Sequence, residues 1–309
     1  MRNTNLATRN TQRGIPMPSY LALTSEQVKK AVEAVKKSKP VYTEMLDFYA
    51  GVFDAQEGCK GRLQLEPLQL SRELRAVRAG KNLPLVEIKD FIYDDTEAVN
   101  LFRAICELAQ DANPKLSGAA EVLDAAVKTS LSPRKLFDGL LEGNEALFEN
   151  VADELQVDKQ IVGFITYNSL KPSLCACADQ LAVYLNQGEP WLQGYCPICG
   201  SAPLLSMLEQ EGRRKLVCGF CWHLWSAKRI HCPFCDCSQN KDLHYFYSEQ
   251  EKDCRVDLCN NCKKYIKTID LRKIDRLIYP PLEQLATMHL DLKARETGFE
   301  PGIRLFLQE

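Results

Sequence analysis

The sequence divides into two halves of unlike character, and together they predict a mostly α N-terminal domain followed by small β modules stabilised by metal. Three observations carry this reading. Helical periodicity runs from about Leu21 to Gln187, four Cys-x-x-Cys pairs lie between Cys196 and Cys262, and short strand-like runs sit between those pairs.

The chain has 309 residues, enough for two or three domains. Its 45% hydrophobic and 26% charged residues are the balance of an ordinary globular protein. A net charge of −2 argues against a generally basic nucleic-acid binder. No apolar run approaches the roughly 20 residues that span a bilayer, so no membrane insertion is expected. Residues 1–20 carry Arg2, Arg9 and Arg13 among polar residues and lack an apolar signal core. They read as a disordered tail, and the expected location is cytoplasmic.

Residues 21–188 form the expected helical domain. Thr24 and Gln27 have capping-box spacing, and Val28, Ala31, Val32 and Val35 follow on one helical stripe. Further helices are expected near Val41–Glu57, over Leu68–Ala79 up to Gly80, over Thr96–Gln110 and over Leu116–Thr129. Ser132-Pro133 opens a short one through Leu141. A long helix is expected over Asp158–Asn186, with a kink at Pro172. None of these sustains heptads, which points to a globular bundle rather than a coiled coil.

After Gly188-Glu189-Pro190 the pattern changes. Leu204–Leu208 and Lys215–Val217 read as two strands around a turn at Gln210–Arg213. His244–Tyr247 and Arg255–Leu258 read as the equivalent pair. The expected modules are residues 189–230 and 231–273. Residues 274–309 would hold a last helix, from Pro280-Pro281 to near Gly298, and a tail.

The chain has 14 cysteines and no export signal, so metal ligation is favoured over disulfides. The pairs are Cys196/Cys199, Cys218/Cys221, Cys232/Cys235 and Cys259/Cys262. Eighteen residues separate the first pair from the second, and 23 separate the third from the fourth. The first interval matches a tetrathiolate zinc spacing and the second slightly exceeds it. Two cysteines two residues apart can aim both sulfurs at one ion, and a hairpin can bring two such knuckles together. Sequential pairing is therefore expected, giving two ions, each held by four thiolates. Cys196-Pro197-Ile198-Cys199-Gly200 and Cys232-Pro233-Phe234-Cys235-Asp236 open the two halves. This turn form is that of rubredoxin-like and zinc-ribbon modules. Four thiolates suit iron or zinc alike.

The remaining candidates read as structural. Cys59, Cys106, Cys175 and Cys177 lie on helices as buried thiols. Cys237 and Cys254 lie near the pairs without being ligands, as do His223 and His231. His289 reads as a packed histidine on the stripe of Leu282, Leu285 and Leu292, and Trp222 and Trp225 as packing over the ribbon. No nucleophile elbow, phosphate loop or dinucleotide fingerprint occurs. A closed four-sulfur shell has no open position for substrate or water, so no catalytic residues are expected.

Beyond the ligand pairs, the pattern resembles the formate dehydrogenase accessory protein family, FdhE. The matching residues are Tyr195–Pro203, Cys218 and Cys221, Trp225, Arg229, Cys232 and Cys235, and Leu243-His244-Tyr245. Cys259 and Cys262, Tyr265-Ile266-Lys267, Leu290-Asp291 and Gly298-Phe299 complete the set. Leu224 departs from it, standing where the family often has an acidic residue. The resemblance implies a helical domain followed by two rubredoxin-like modules. It implies a cytoplasmic, non-enzymatic chaperone for formate dehydrogenase assembly that contacts the catalytic subunit, and it favours iron.

Two other readings fit the cysteines. A rubredoxin-like electron carrier would need iron. A zinc-ribbon nucleic-acid binder would use Tyr245, Phe246 and Tyr247 for stacking. From Tyr195 to Asp270, however, eleven Lys or Arg face nine Asp or Glu, a weak field for phosphates.

Overall fold

The computed structural model describes residues 23–185, 191–249 and 251–303. The expected tail at residues 1–20 and the junction at Gly188-Glu189-Pro190 lie outside them. Ten α-helices and seven strands are described. The helices α1 (Ser25–Ser38), α2 (Thr43–Lys60), α3 (Arg72–Gly80), α4 (Asp95–Ala109), α5 (Pro114–Thr129), α6 (Pro133–Glu142), α7 (Glu145–Leu155) and α8 (Lys159–Ala182) come first. Then follow β1 (Pro203–Leu208), β2 (Arg214–Cys218), β3 (Leu224–Ala227), β4 (Leu243–Ser248), β5 (Glu251–Cys259) and β6 (Lys264–Asp270). The helices α9 (Pro280–Ala286) and α10 (Met288–Glu296) and the short β7 (Glu300–Pro301) complete the chain. The fold is thus helical at the N-terminal side with a small sheet beyond it, as the sequence predicts. No helix among the described residues is long and apolar enough to cross a membrane.

Local chemistry explains most helix starts. Thr24 and Gln27 close the expected capping box. Asp94, Asn113, Asn144 and Asp158 each accept a backbone N–H as N-cap residues. The helix α7 has no counterpart among the sequence expectations, although Asn144 caps it and Leu147, Phe148, Val151 and Ala152 form its buried face.

Helix α8 is the central helix. Residues 162–175 are all buried, with α2, α4, α5, α6 and α7 around them. Pro172 lies inside it and leaves the carbonyl of Asn168 without its helical donor. The buried Gln56 of α2 supplies the missing hydrogen bond, its Nε2 donating to that carbonyl at 2.9 Å. A side chain from a neighbouring helix thus lets the helix run through its proline.

The two cysteine-bearing halves share one sheet, ordered β3-β2-β1-β6-β5-β4, with β7 beside β6. Both expected hairpins form, β1 with β2 and β4 with β5. The two halves join where β1 runs parallel to β6, Leu205 to Leu208 against Lys267 to Asp270. Leu205, Met207, Val217, Val256, Tyr265 and Ile269 pack with α1, α9 and α10 in one core. Leu216, Ile266 and Trp225 belong to the core of the helical bundle instead.

The expected single helix from Pro280 to Gly298 is two helices, broken at Thr287 (φ −122°, ψ 21°). The cause is Lys267, almost fully buried on β6. Its Nζ donates to the carbonyls of Gln284 (2.9 Å) and Thr287 (3.4 Å) and pairs with Asp291 at 2.6 Å. Thr287 Oγ1 bonds back to the carbonyl of Glu283. The break also turns Leu292 outward, 62% exposed, off the stripe expected to run from Leu282 and Leu285. His289 bridges Tyr42 and Glu251 and is part exposed.

Asp291 also accepts from Tyr265 Oη, so it holds the buried ammonium and orders the break. Asp291→Ala should cost about 3–5 kcal/mol, because it strands a buried charge. Burial already lowers the pKa of Lys267 in the folded state below its ordinary 10.5. The unfolded state therefore binds more protons, and the deficit should shrink as pH rises toward 10.5. Urea unfolding of the variant at neutral and alkaline pH measures both effects, with Lys267→Met/Asp291→Leu expected to recover most of the loss.

Candidate metal centre

Four knuckles present the eight candidate sulfurs, and they share one backbone device. The residue after the second cysteine of each pair has positive φ: Gly200 at 78°, Trp222 at 62°, Asp236 at 56° and Lys263 at 57°. In three of them that residue's N–H closes the turn onto the carbonyl of the first cysteine, at 2.8–3.0 Å. Cys196, Cys218 and Cys232 in turn donate to the carbonyls of Ser201, His223 and Cys237. Only the first knuckle uses glycine, for which this conformation carries no Cβ penalty. The others accept about 1 kcal/mol of strain each.

The knuckles meet in two groups. Cys196, Cys199, Cys218 and Cys221 form one, and Cys232, Cys235, Cys259 and Cys262 the other. Within each, the four sulfurs lie within 4.8 Å of one another. The closest separations are 3.5–3.7 Å in the first cluster and 3.6 Å in the second. A disulfide would need about 2.05 Å. A tetrahedron with metal–sulfur bonds of about 2.3 Å has edges of about 3.8 Å. The residues therefore fit a tetrathiolate ion in each cluster. All fourteen cysteines are free of disulfides.

Electrostatics says the same. As thiols, Cys196 and Cys221 are pushed well above their ordinary range by burial. Hydrogen bonds from Cys196, Cys218 and Cys221 hold Cys199 far below it. In the second cluster burial raises Cys232 and Cys259. Burial also raises Cys235, but a 3.3 Å hydrogen bond from Asn261 and neighbouring donors outweigh it and bring the thiol to about 7. In each group one sulfur ionises readily while Cys196 and Cys221, or Cys232 and Cys259, resist, and four thiolates this close would repel one another without a cation between them.

The clusters are seated differently. The first is fully buried; in the second Cys235 and Cys262 are part exposed. The chain at Leu85 and Val86 pairs with the first knuckle, donating to the carbonyls of Pro197 (2.8 Å) and Ile198 (3.0 Å). Tyr167 of α8 donates to the carbonyl of Phe220 and accepts from Trp222 Nε1, each at 2.8 Å. Phe91 meets Phe220 edge to face.

The other candidates lie outside both groups. Cys59, Cys106, Cys175, Cys177 and Cys254 are buried, and burial raises their thiols to about 11 or 12. Burial drops His223 to about 4 and lowers His231, whose Nε2 lies 2.7 Å from Asp236. Trp222 and Trp225 are buried. Arg229 and Leu243-His244-Tyr245, separate in the sequence pattern, line one cavity beside the second cluster, a grouping that only the folded sheet produces. Their place outside the ligand set was the available signal.

Two glycines fit the third knuckle to its surroundings. A Cβ on Gly194 would stand 1.9 Å from the carbonyl oxygen of Pro233, and one on Gly302 would enter the ring of Phe234. Gly194→Ala must displace backbone. It should cost about 1–3 kcal/mol as overpacking does. Thermal unfolding beside a Gly58→Ala control, where nothing stands within 4 Å of the added carbon, measures this.

Comparison with known proteins agrees with this architecture. Residues 195–229 match the model for the central domain of FdhE, and residues 230–307 that for its C-terminal domain. An FdhE homolog from Aquifex aeolicus is 27% identical over 281 residues, spanning 89% of this chain and 92% of that protein. An FdhE homolog from Erwinia tasmaniensis is 29% identical over 64% of this chain and 62% of that protein. One from Cronobacter sakazakii is 34% identical over 34% of each. The crystal structure of the FdhE protein from Pseudomonas aeruginosa shares the fold, with a TM-score of 0.63 at 19% identity over 90% of this chain and 94% of that one. With the cysteine clusters and the sheet that carries them, these matches support the FdhE family, whose central and C-terminal domain models together match residues 195–307.

Proposed function

We propose that this protein is a metal-binding accessory factor for the assembly or maturation of formate dehydrogenase. In this reading it acts in the cytoplasm as a chaperone, contacts the catalytic subunit and catalyses no reaction itself. The observation that carries it is the pair of closed four-cysteine clusters in a chain that matches the FdhE domain models. Cys196, Cys199, Cys218 and Cys221 would hold one ion, and Cys232, Cys235, Cys259 and Cys262 the other. Four thiolates complete a tetrahedral shell, so the ions would supply folding energy or redox chemistry rather than activate water. Deleting the gene should lower formate dehydrogenase activity while its catalytic subunit is still synthesised. Unchanged activity in the deletion strain would sink the proposal.

Electron transfer is a second reading, supported by the part exposure of Cys235 and Cys262. It requires iron, because zinc has no redox chemistry. Metal analysis addresses ion and pairing together. The purified protein should hold two ions per chain, and Cys196→Ser/Cys199→Ser should hold one. Zinc alone in protein from iron-replete cells overturns the electron-transfer reading. Loss of both ions from the double variant contradicts independent clusters.

A further inference from the structure

A cavity of about 310 Å³ opens beside Cys232 and Cys259. The sheet face beneath it carries a row of polar groups drawn from both cysteine-bearing halves. Arg214 of β2 forms its floor and is 5% exposed. Its Nε donates to Ser206 Oγ at 2.8 Å and its Nη1 to the carbonyl of His231 at 2.7 Å. Its Nη2 is buried and has no hydrogen-bond acceptor. The nearest carboxylate oxygen, on Asp257, stands 3.7 Å away.

Asp257 is already committed. It accepts from Thr268 Oγ1 at 2.7 Å and pairs with Arg255 at 2.9 Å. Arg229 and Lys264 also line the cavity and have no carboxylate partner among the described residues. Four cationic side chains thus face one carboxylate. A buried guanidinium nitrogen without an acceptor costs free energy that an oxyanion in the cavity would recover. One wall is aromatic: Tyr245 is 58% exposed, with the Arg255 guanidinium 4.7 Å from its ring centre.

We propose that this cavity binds a small ligand through an oxyanion group, a phosphate or a carboxylate, held by Arg214, Arg229, Arg255 and Lys264. The body of the ligand lies against Tyr245. The site abuts the second cluster, with Cys232 and Cys259 in its lining, but its anion-holding groups are the four cations rather than any sulfur, and it extends beyond the accessory role proposed above. The competing explanation is that these cations only offset the negative charge of a tetrathiolate in the second cluster.

Isothermal titration of the full-length, metal-replete protein at low ionic strength separates the two. The probes are inorganic phosphate, AMP and citrate. Saturable one-site binding of at least one is expected, and the preferred probe identifies phosphate or carboxylate as the head group. Arg229→Gln and Lys264→Gln lie nearer the surface than Arg214 and should each weaken binding at least tenfold with metal content unchanged. If AMP binds, Tyr245→Ala should weaken it more than it weakens phosphate. No saturable binding of any probe overturns the proposal, as does binding that both glutamine variants leave intact. Variants that change metal content without any anion binding in the parent protein establish charge compensation instead.

Discussion

The parallel pairing of β1 with β6 is the contact on which the C-terminal half depends. Each half could close its own four-sulfur cluster with a hairpin, and neither would then need the other. Joining them edge to edge, Leu205 to Leu208 against Lys267 to Asp270, makes one sheet with two usable faces. One face is apolar apart from the buried Lys267 and packs under α1, α9 and α10. The other lets Arg214, from the first half, approach Asp257, from the second. The cavity beside the second cluster therefore exists only because the two halves are fused, although each is nearly complete as a local motif.

The knuckles show how far local sequence can be bent to a shared geometry. The left-handed residue after each second cysteine is glycine once, and otherwise Trp222, Asp236 or Lys263. Each choice serves something besides the turn. Trp222 reaches Tyr167 on the central helix, Asp236 meets His231, and Lys263 lies over the ring of Phe299. Strain of about 1 kcal/mol per non-glycine residue is small beside the stabilisation a tetrathiolate ion supplies, on the order of 10 kcal/mol in small modules. The ion would make non-glycine residues tolerable where a turn alone would favour glycine.

This explains which features were legible in the sequence. The cysteine spacing is fixed by the reach of two sulfurs to one ion, a local constraint, so the sequential grouping and both hairpins could be read directly. Amphipathic helices such as α1 and α4 were legible because each buries one stripe. Helix α8 buries every side, so its role at the centre of the bundle left no stripe to read. The break at Thr287 depends on Lys267, 20 residues upstream in the chain, and on Asp291. The strands β3 and β6 are short or nearly continuous in polarity, and the pairing of β6 with β1 is long-range, so neither declared itself. Arg229 and Tyr245 stood out as pattern residues, but only the folded sheet shows them around one cavity.

The two clusters share a coordination chemistry but not a mechanical role. The first is buried beneath the helical bundle, tied to it through Leu85, Val86 and Tyr167. Loosening its knuckles would release the helices as well as the ribbon, so its ion would act as a staple between the two halves of the chain. The second cluster has two part-exposed sulfurs and a cationic cavity against Cys232 and Cys259. Electrostatic interactions there act across a partly desolvated wall, where they are stronger than in water. An anion entering the cavity would alter the field at the cluster, and the charge on the cluster would alter the affinity for the anion, because coupling between two sites is reciprocal. Of the two, the second is the one whose state can be communicated to another molecule.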